Sequence, residues 1–508
     1  MIDLSHKDIL NYFAKIKKFA LQSYMKGEYE KSLSLIELAA SVAYYLNFIY
    51  TDRDIEGLLT NISSKMIKQE DKIVTTNQRF VFYDAFEHGG RVLTLQYIRA
   101  LISNGCEFLF IFENYVPSRG KSILDELNAY DQCEVFMVDQ KLSKTEQINT
   151  ISQKIVEYQP QKALLQLLPW SVVAVCVFNA LSNVKRYQIN LTDHAFWLGV
   201  NCIDYNIEFR QHGATISLEK RGITKEKLLL LTYYPIFNEN EPFKGFPEIC
   251  NDKVIIFSGG SFFKIYGEKK KYFQIVKTLL DRHPNIIILF SGDGDDQPIL
   301  KFIKKNNFQN RFILLGFRLD INAVFANCDI YLATYPFGGG LMTMYAATHA
   351  KPVLAYGDNS ISEIVAESVL EGVRRKISFS SFEEFYEEAD QLINNKEYRL
   401  KVGRSLKKDF YLDIHKFNAD FKSVIINQDR VPNFDYSLKN SDYDKIADIY
   451  LEVENKFLHV VQYLILQKFK LKTFILFPKL AIKFSLQKGL AFIIQKLLKR
   501  KKRQSKKQ

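Results

Sequence analysis

Apolar positions follow two different rhythms along this chain. From residue 8 to about 70 they recur at helical spacing, with almost no Gly or Pro, which predicts a helical region. From Phe80 the pattern changes to short continuous apolar runs separated by amphipathic stretches. The runs at 80–83, 108–112, 135–138, 163–168 and 187–191 read as strands, with helices between them over 93–103, 122–128, 144–158 and 172–181. A polar stretch carrying Pro235, Pro242 and Pro247 interrupts the alternation. It restarts at Val254, with strands expected over 254–258, 286–291, 312–315, 330–333 and 353–356. Strands that are apolar throughout and separated by helices belong to parallel sheets covered on both faces.

The expected fold class is therefore α/β, with two doubly wound, Rossmann-like domains facing a cleft that holds the ligand between strand ends. The expected divisions are a helical region over 1–72, a first domain over 73–240, a second over 250–408, a crossover segment over 409–455 and a tail over 456–508. Within the first region Tyr24, Gly27, Tyr29, Ile36 and Ala39 have the spacing of one tetratricopeptide-like helical hairpin. A single copy cannot bury its own faces, so it is expected to pack on the next domain.

The net charge of +12 changes meaning once it is located. Fifteen of the 69 Lys and Arg residues, and none of the 57 Asp and Glu residues, lie from Lys456 onward, leaving the body at 54 basic against 57 acidic. In that tail, apolar clusters such as Tyr463–Leu466 and Phe474–Phe477 alternate with Lys468, Lys470, Lys472, Lys479 and Lys483. A basic amphipathic helix of this kind suits an anionic membrane interface. Nucleic acid is the rival partner, but a phosphate-tracking arm has no use for so many large apolar side chains. The six cysteines show no CxxC pairing and read as reduced core thiols. Met1–Lys7 lacks a basic n-region, and no uninterrupted apolar run is long enough to span a bilayer. The expected localisation is cytoplasmic, peripheral to the inner face of the plasma membrane.

Candidate chemistry concentrates after strands. The segment Thr334-Tyr335-Pro336-Phe337-Gly338-Gly339-Gly340 leads from a strand into a helix expected over 341–349. Consecutive glycines allow a sharp turn and close approach of a ligand, and the helix N-terminus favours an anion. Gly259, Gly260 and Lys264 follow another strand of the same domain. Two such turns, one of them with a lysine, point to a site for an anionic nucleotide. In the first domain His88 lies in the turn Glu87-His88-Gly89-Gly90, and Asp193-His194 follows a later strand. Either imidazole can act as a general base. Asp293, Asp295 and Asp296 can be read as metal ligands or as ordinary turn residues, and the turn reading is preferred. Asp358 and Glu363, after the last strand of the second domain, can hold hydroxyls of a ligand, although Glu363 reads more readily as a first-turn helix residue favoured by the dipole.

Taken in order, these motifs resemble GT-B glycosyltransferases, specifically the bacterial relatives of the O-linked N-acetylglucosamine transferase family. The resemblance runs from about Phe80 to Pro352. It includes Gln188-Ile189-Asn190, Trp197-Leu198-Gly199, Asp204-Tyr205, Glu226-Lys227-Leu228 and Tyr233-Tyr234-Pro235. It continues through Lys264, Asp329-Ile330-Tyr331-Leu332, the glycine loop and Ala350-Lys351-Pro352. The resemblance implies that Lys264, Gly338, Gly339, Gly340 and Thr343 bind the diphosphate of a UDP-sugar, and that His88, or else His194, faces donor and acceptor. Where the family often has a ribose-binding carboxylate, this chain has Tyr345. Leu341 and Met342 replace threonines expected at the helix start. The expected activity is inverting transfer of a hexosyl group, without a metal or other cofactor, to a glycan or lipid-linked acceptor of a surface polysaccharide. A polypeptide acceptor and a non-catalytic, nucleotide-sugar-binding subunit are the alternatives.

Overall fold

Two all-parallel sheets carry the chain, and the computed structural model describes residues 5–46, 49–67, 78–86, 92–236, 241–357, 366–370, 372–410, 413–429, 442–454 and 458–486. Three helices come first: α1 (His6–Met25), α2 (Tyr29–Leu46) and α3 (Arg53–Met66). Ser5 and Asp8 form a capping box at the start of α1, and the Asp52 side chain caps α3 through the Ile55 N–H at 3.0 Å. Gly27, at φ +75°, lets the chain reverse between α1 and α2. The buried side chains of these helices share one core with a face of the first sheet.

The first domain runs β1 (Phe80–Asp84), α4 (Val92–Ser103), β2 (Phe108–Phe112), α5 (Pro117–Asn128), β3 (Cys133–Met137) and α6 (Lys144–Tyr158). It continues with β4 (Lys162–Gln166), α7 (Val172–Ala180), β5 (Lys185–Ile189), β6 (Tyr205–Glu208), α8 (Gln211–Glu219) and β7 (Leu228–Leu230). Its strand order is β3-β2-β1-β4-β5-β6-β7, so the order reverses between β1 and β4. Alternation explains the apolar runs. Phe80 and Phe82 face α4, while Val81 and Tyr83 join the core shared with the N-terminal helices. Strand β7 escapes apolar-run detection because it is only three residues long, and β6 because it carries Asn206 and Glu208. These polar groups are buried but bonded to each other and, for Glu208, to Asn190 at 2.9 Å.

The second domain repeats the design: β8 (Val254–Gly259), α9 (Lys271–Arg282), β9 (Ile286–Ser291), α10 (Gln297–Asn306), β10 (Phe312–Gly316) and α11 (Ile321–Asn327). Then come β11 (Ile330–Leu332), α12 (Gly340–Thr348), β12 (Val353–Tyr356), β13 (Ser378–Phe379), α13 (Phe382–Asn394) and α14 (Lys396–Asp409). The order β10-β9-β8-β11-β12-β13 reverses between β8 and β11.

The chain then returns to the first domain through α15 (Ile414–Phe421). Phe417 meets Tyr97 of α4 edge-on at 5.3 Å and Tyr234 at 5.5 Å. The Lys162 ammonium donates to the carbonyls of Ile425 and Ile426 at 2.9 and 2.8 Å. Three further helices follow: α16 (Tyr443–Glu454), α17 (Leu458–Phe469) and α18 (Thr473–Leu476).

The described part of the tail is not a free arm. Ile465 and Phe477 are buried in the core of the N-terminal helices, Phe477 meets Tyr12 at 5.3 Å, and Lys479 pairs with Asp8 at 2.5 Å. The apolar clusters expected to enter a membrane therefore divide, one face packing inward and another staying exposed. Among the described residues no helix is long and apolar enough to cross a membrane.

Phe417→Ala is expected to cost about 3–5 kcal/mol of local stability, because it empties an aromatic site between α15 and the first domain. Thermal melting and limited proteolysis should show a lower midpoint and earlier cleavage near residues 410–430. An unchanged melt and digest would show that this contact does not hold the crossover in place.

Candidate functional site

Because β8 and β11 are hydrogen-bonded neighbours, the turns that follow them lie side by side at the switch point of the second sheet. The first turn carries Lys264 in a short 3-10 segment, Phe262–Ile265. The second is the loop Thr334–Gly339, which feeds α12. The two are tied by the Phe337 N–H donating to the Lys264 carbonyl at 3.4 Å. A cavity of about 360 Å3 opens beside them, and its opposite wall comes from the first domain. A second cavity of about 340 Å3 lies across the same loop, reaching Phe317 and Arg318 after β10. Lys264, Gly339 and Gly340 line both.

Burial pushes the Lys264 ammonium below its usual range. Among the described residues its side chain has no hydrogen-bond or ion-pair partner. The first-turn N–H groups of α12, at Gly340, Leu341 and Met342, have no acceptor within their own helix. A cation and a helix N-terminus together make an anion site. The backbone of the loop needs no left-handed glycine, since none of Gly338 to Gly340 has a positive φ, but two of the three sit in tight surroundings. A Cβ on Gly339 would sit 3.2 Å from the Tyr331 hydroxyl, and one on Gly340 would sit 3.1 Å from the Tyr233 hydroxyl. Gly338 faces open space. Thr343 lines the cavity but uses its hydroxyl within the helix, donating to the Gly339 carbonyl at 3.0 Å.

The facing wall follows β5. Asp193 is buried and accepts from Arg210 Nη2 at 3.1 Å, with His194 Nδ1 at 3.3 Å. Burial alone would raise the Asp193 pKa, but Arg210 and His194 outweigh it and hold the carboxyl well below its usual range. The buried Arg221 guanidinium donates to the carbonyls of Thr192, Asp193 and Ala195 at 2.9, 2.9 and 2.6 Å, fixing the loop that presents His194. The His194 ring stacks on Tyr450 of α16 at 5.7 Å, and Tyr450 in turn meets Phe337 at 4.6 Å. Asp193, His194, Lys264 and Gly338 to Gly340 thus line one cavity. Arg210, Arg221 and Tyr450 were not anticipated from sequence. Arg210 sits just past β6, so recognising that short polar strand would have flagged it.

Other candidates fall elsewhere. His88, Asp358 and Glu363 lie outside the described residues. Tyr345 directs its hydroxyl to the Ile236 carbonyl at 2.6 Å and stacks on Phe325 at 5.7 Å. It ties α12 to the interdomain connection and lines neither cavity. Its ring is large enough to reach past the helix into that connection, which a carboxylate at the same position is not. Asp293 accepts from Ser261 at 3.0 Å, Asp295 from the Gln297 N–H at 3.2 Å and Asp296 from the Gln297 side chain at 3.0 Å. These are turn and cap roles. Among the described residues no group of three His, Cys, Asp or Glu is arranged to hold a metal ion.

No family model matches the chain, and no curated protein matches it in sequence. Solved structures do match in fold. HepE of Anabaena, in complex with UDP and glucose, aligns at 16% identity and a TM-score of 0.51, covering 69% of this chain and 100% of HepE. An O-GlcNAc transferase of Thermobaculum terrenum aligns at 13% identity and a TM-score of 0.51, covering 86% of this chain and 80% of that one. A glycosyltransferase from Rickettsia africae aligns at 13% identity and a TM-score of 0.51, covering 70% of this chain and 100% of its own. At such identities the likeness is one of fold: two Rossmann-like domains across a cleft, the GT-B architecture.

Lys264→Ala is expected to weaken binding of pyrophosphate or UDP roughly 10- to 100-fold, the scale of a hydrogen bond to a charged group. Calorimetric titration against a melt of the same variant separates this from misfolding. Unchanged affinity would remove Lys264 from the anion site.

Proposed function

We propose that this chain is a glycosyltransferase that moves a hexosyl group from a UDP-sugar to a glycan or lipid-linked acceptor in surface-polysaccharide synthesis. The observation that carries the reading is the ammonium of Lys264, without a partner among the described residues, beside the open first turn of α12 and across the cleft from the Asp193–His194 pair. Kinship with bacterial relatives of the O-linked N-acetylglucosamine transferase family is part of the proposal. The order of motifs from Phe80 to Pro352 supports it, as does the helical hairpin packed ahead of the first sheet.

In the proposed reaction the acceptor oxygen attacks the anomeric carbon while the bond from that carbon to the diphosphate oxygen breaks. The acceptor proton passes to the His194 ring nitrogen that does not face Asp193, and the electron pair of the broken bond leaves with UDP. Lys264 and the N–H groups of α12 meet the developing charge on the departing diphosphate, a role that elsewhere can fall to a metal ion. Base and leaving-group stabiliser on opposite walls favour attack from the far side of the sugar, hence inversion. The second cavity, with the exposed Phe317 ring at Arg318, offers a surface for the nucleobase. The lysine-rich tail supports a working position at the inner membrane face, where a lipid-linked acceptor is presented.

A hydrolysis and transfer screen against a panel of nucleotide sugars tests the activity. Among variants, His194→Ala is expected to lower kcat at least roughly 100-fold with little change in KM, as for loss of a general base. If His88→Ala alone behaves this way, the proton acceptor is His88. If neither does, the base assignment fails.

Turnover is also expected to survive excess EDTA. Loss of activity restored by Mg2+ or Mn2+ would contradict charge stabilisation by Lys264 and the helix alone.

A further inference from the structure

Away from the cleft, the end of the N-terminal hairpin and the tail enclose a groove of about 670 Å3. That volume lies in the range of ligand-sized pockets, roughly 300–1,000 Å3. Its floor is apolar, built from Phe19, Leu35, Phe469, Leu471 and Leu476. Its rim is cationic, with Lys26, Lys31, Lys468, Lys470 and Lys472. Only Lys31 of these forms an ion pair among the described residues, with Glu28 at 2.6 Å. Leu471 is 83% exposed, and Ile475 and Met25, next to lining residues of the groove, are 81% and 76% exposed.

This combination is unusual for a protein surface left to water. An apolar floor gains free energy only when something covers it, and the four lysines without an ion pair among the described residues, of which Lys468 also feels Glu37 and Glu30, leave the rim with an excess of positive charge that selects an anion. Long lysine side chains can lay their stems along acyl chains and keep their charges at headgroup level. A nucleic acid would satisfy the rim and leave the floor wet. An acidic helix would need its own apolar face matched to a groove shared between the α1–α2 bend and the tail. A bilayer with anionic headgroups satisfies both parts at once, and the remaining basic residues from Lys488 to Lys507 add to the same attraction.

We infer that this groove, formed jointly by α1, α2 and the α17–α18 segment, is a docking site for anionic phospholipid at a bilayer surface. It deepens the membrane part of the reading above and rests on it, but needs none of the transfer chemistry. Docking is thus a property of a folded surface, in which the N-terminal hairpin supplies half the site. Removing the tail would strip the hairpin of its packing and could not isolate the contribution of the lysines.

The test is co-sedimentation of the full chain with phosphatidylcholine vesicles containing or lacking phosphatidylserine or phosphatidylglycerol. Binding is expected only with the anionic lipid. Lys470→Gln with Lys472→Gln should weaken partition roughly thirty-fold, about five-fold for each lysine, which corresponds to about 1 kcal/mol apiece. The pair Lys396→Gln and Lys401→Gln, exposed on α14, makes the same charge change outside the groove and should have little effect. Leu471→Ser with Ile475→Ser should abolish the part of binding that survives high salt, and because both residues are exposed the melt should not move. The inference is overturned if the α14 pair weakens binding as much as the groove pair. It is also overturned if full-length protein ignores anionic vesicles at low salt, or if it binds a short RNA more tightly than vesicles and salt alone releases it. Vesicle binding that persists in a protein inactive toward every nucleotide sugar would sink the proposed activity and leave this site standing.

Discussion

The hydrogen-bonded pairing of β8 with β11 is the constraint on which the site depends. Ile330 and Tyr331 lie opposite Ile256 and Phe257, so the chain leaves two adjacent strands at one edge and in one direction. Lys264 and the glycine loop follow from that adjacency, although about seventy residues separate them in sequence. A crossover must then follow β11, because the next strand, β12, pairs parallel to β11, and the glycine loop with α12 supplies it. The open N-terminal turn of α12 consequently faces the lysine. Close backbone approach reinforces the arrangement. Gly260 sits at φ +139°, and a Cβ on Gly292 would fall 2.0 Å from the Gly260 carbonyl oxygen, so the β8 and β9 turns admit nothing larger there.

The opposing wall is built differently. It relies on buried charge instead of backbone turns: Asp193 between Arg210 and His194, and Arg221 holding three carbonyls of the same loop. Gly213 makes this possible, since a Cβ there would meet the Glu208 carboxylate and Asp193. Burial raises the Glu208 pKa to about 7 despite the nearby Arg221, whereas Asp193 is driven the other way by the Arg210 guanidinium and its contact with His194. Two carboxylates on neighbouring elements are thus set apart by environment. Helix α16 then bridges the walls. Tyr450 touches His194 on one side and Phe337 on the other, while the Glu452 carboxylate accepts the N–H groups of Glu268 and Lys269 at 2.9 and 3.3 Å.

Much of this was legible in the sequence because it rests on local chemistry. Apolar runs of strand length between helical patterns give parallel sheets, and the two sheets with their reversed strand orders have that form. Three adjacent glycines and a lysine after a small-residue turn mark places where the backbone must come close to something. What was hidden depends on partners distant in sequence. Strand β6 is polar, and only the Asn190, Asn206, Glu208 and Ser217 network makes burial of its side chains tolerable. Tyr345 occupies a helical position that invites comparison with a ribose-binding group, yet its bond to Ile236 can be seen only once the interdomain connection is in place. In the tail, the alternation of lysines and large apolar side chains reads as one amphipathic surface. It cannot reveal that Ile465 and Phe477 already have a protein core to enter.

The central claim is that a nucleotide diphosphate is held by Lys264 and the first turn of α12. A crystal structure of the full chain with UDP tests it most directly. The account predicts the terminal phosphate within hydrogen-bonding distance, about 3 Å, of the Lys264 ammonium and of N–H groups among Gly340, Leu341 and Met342. A diphosphate bound elsewhere, with Lys264 still facing an empty loop, would contradict it.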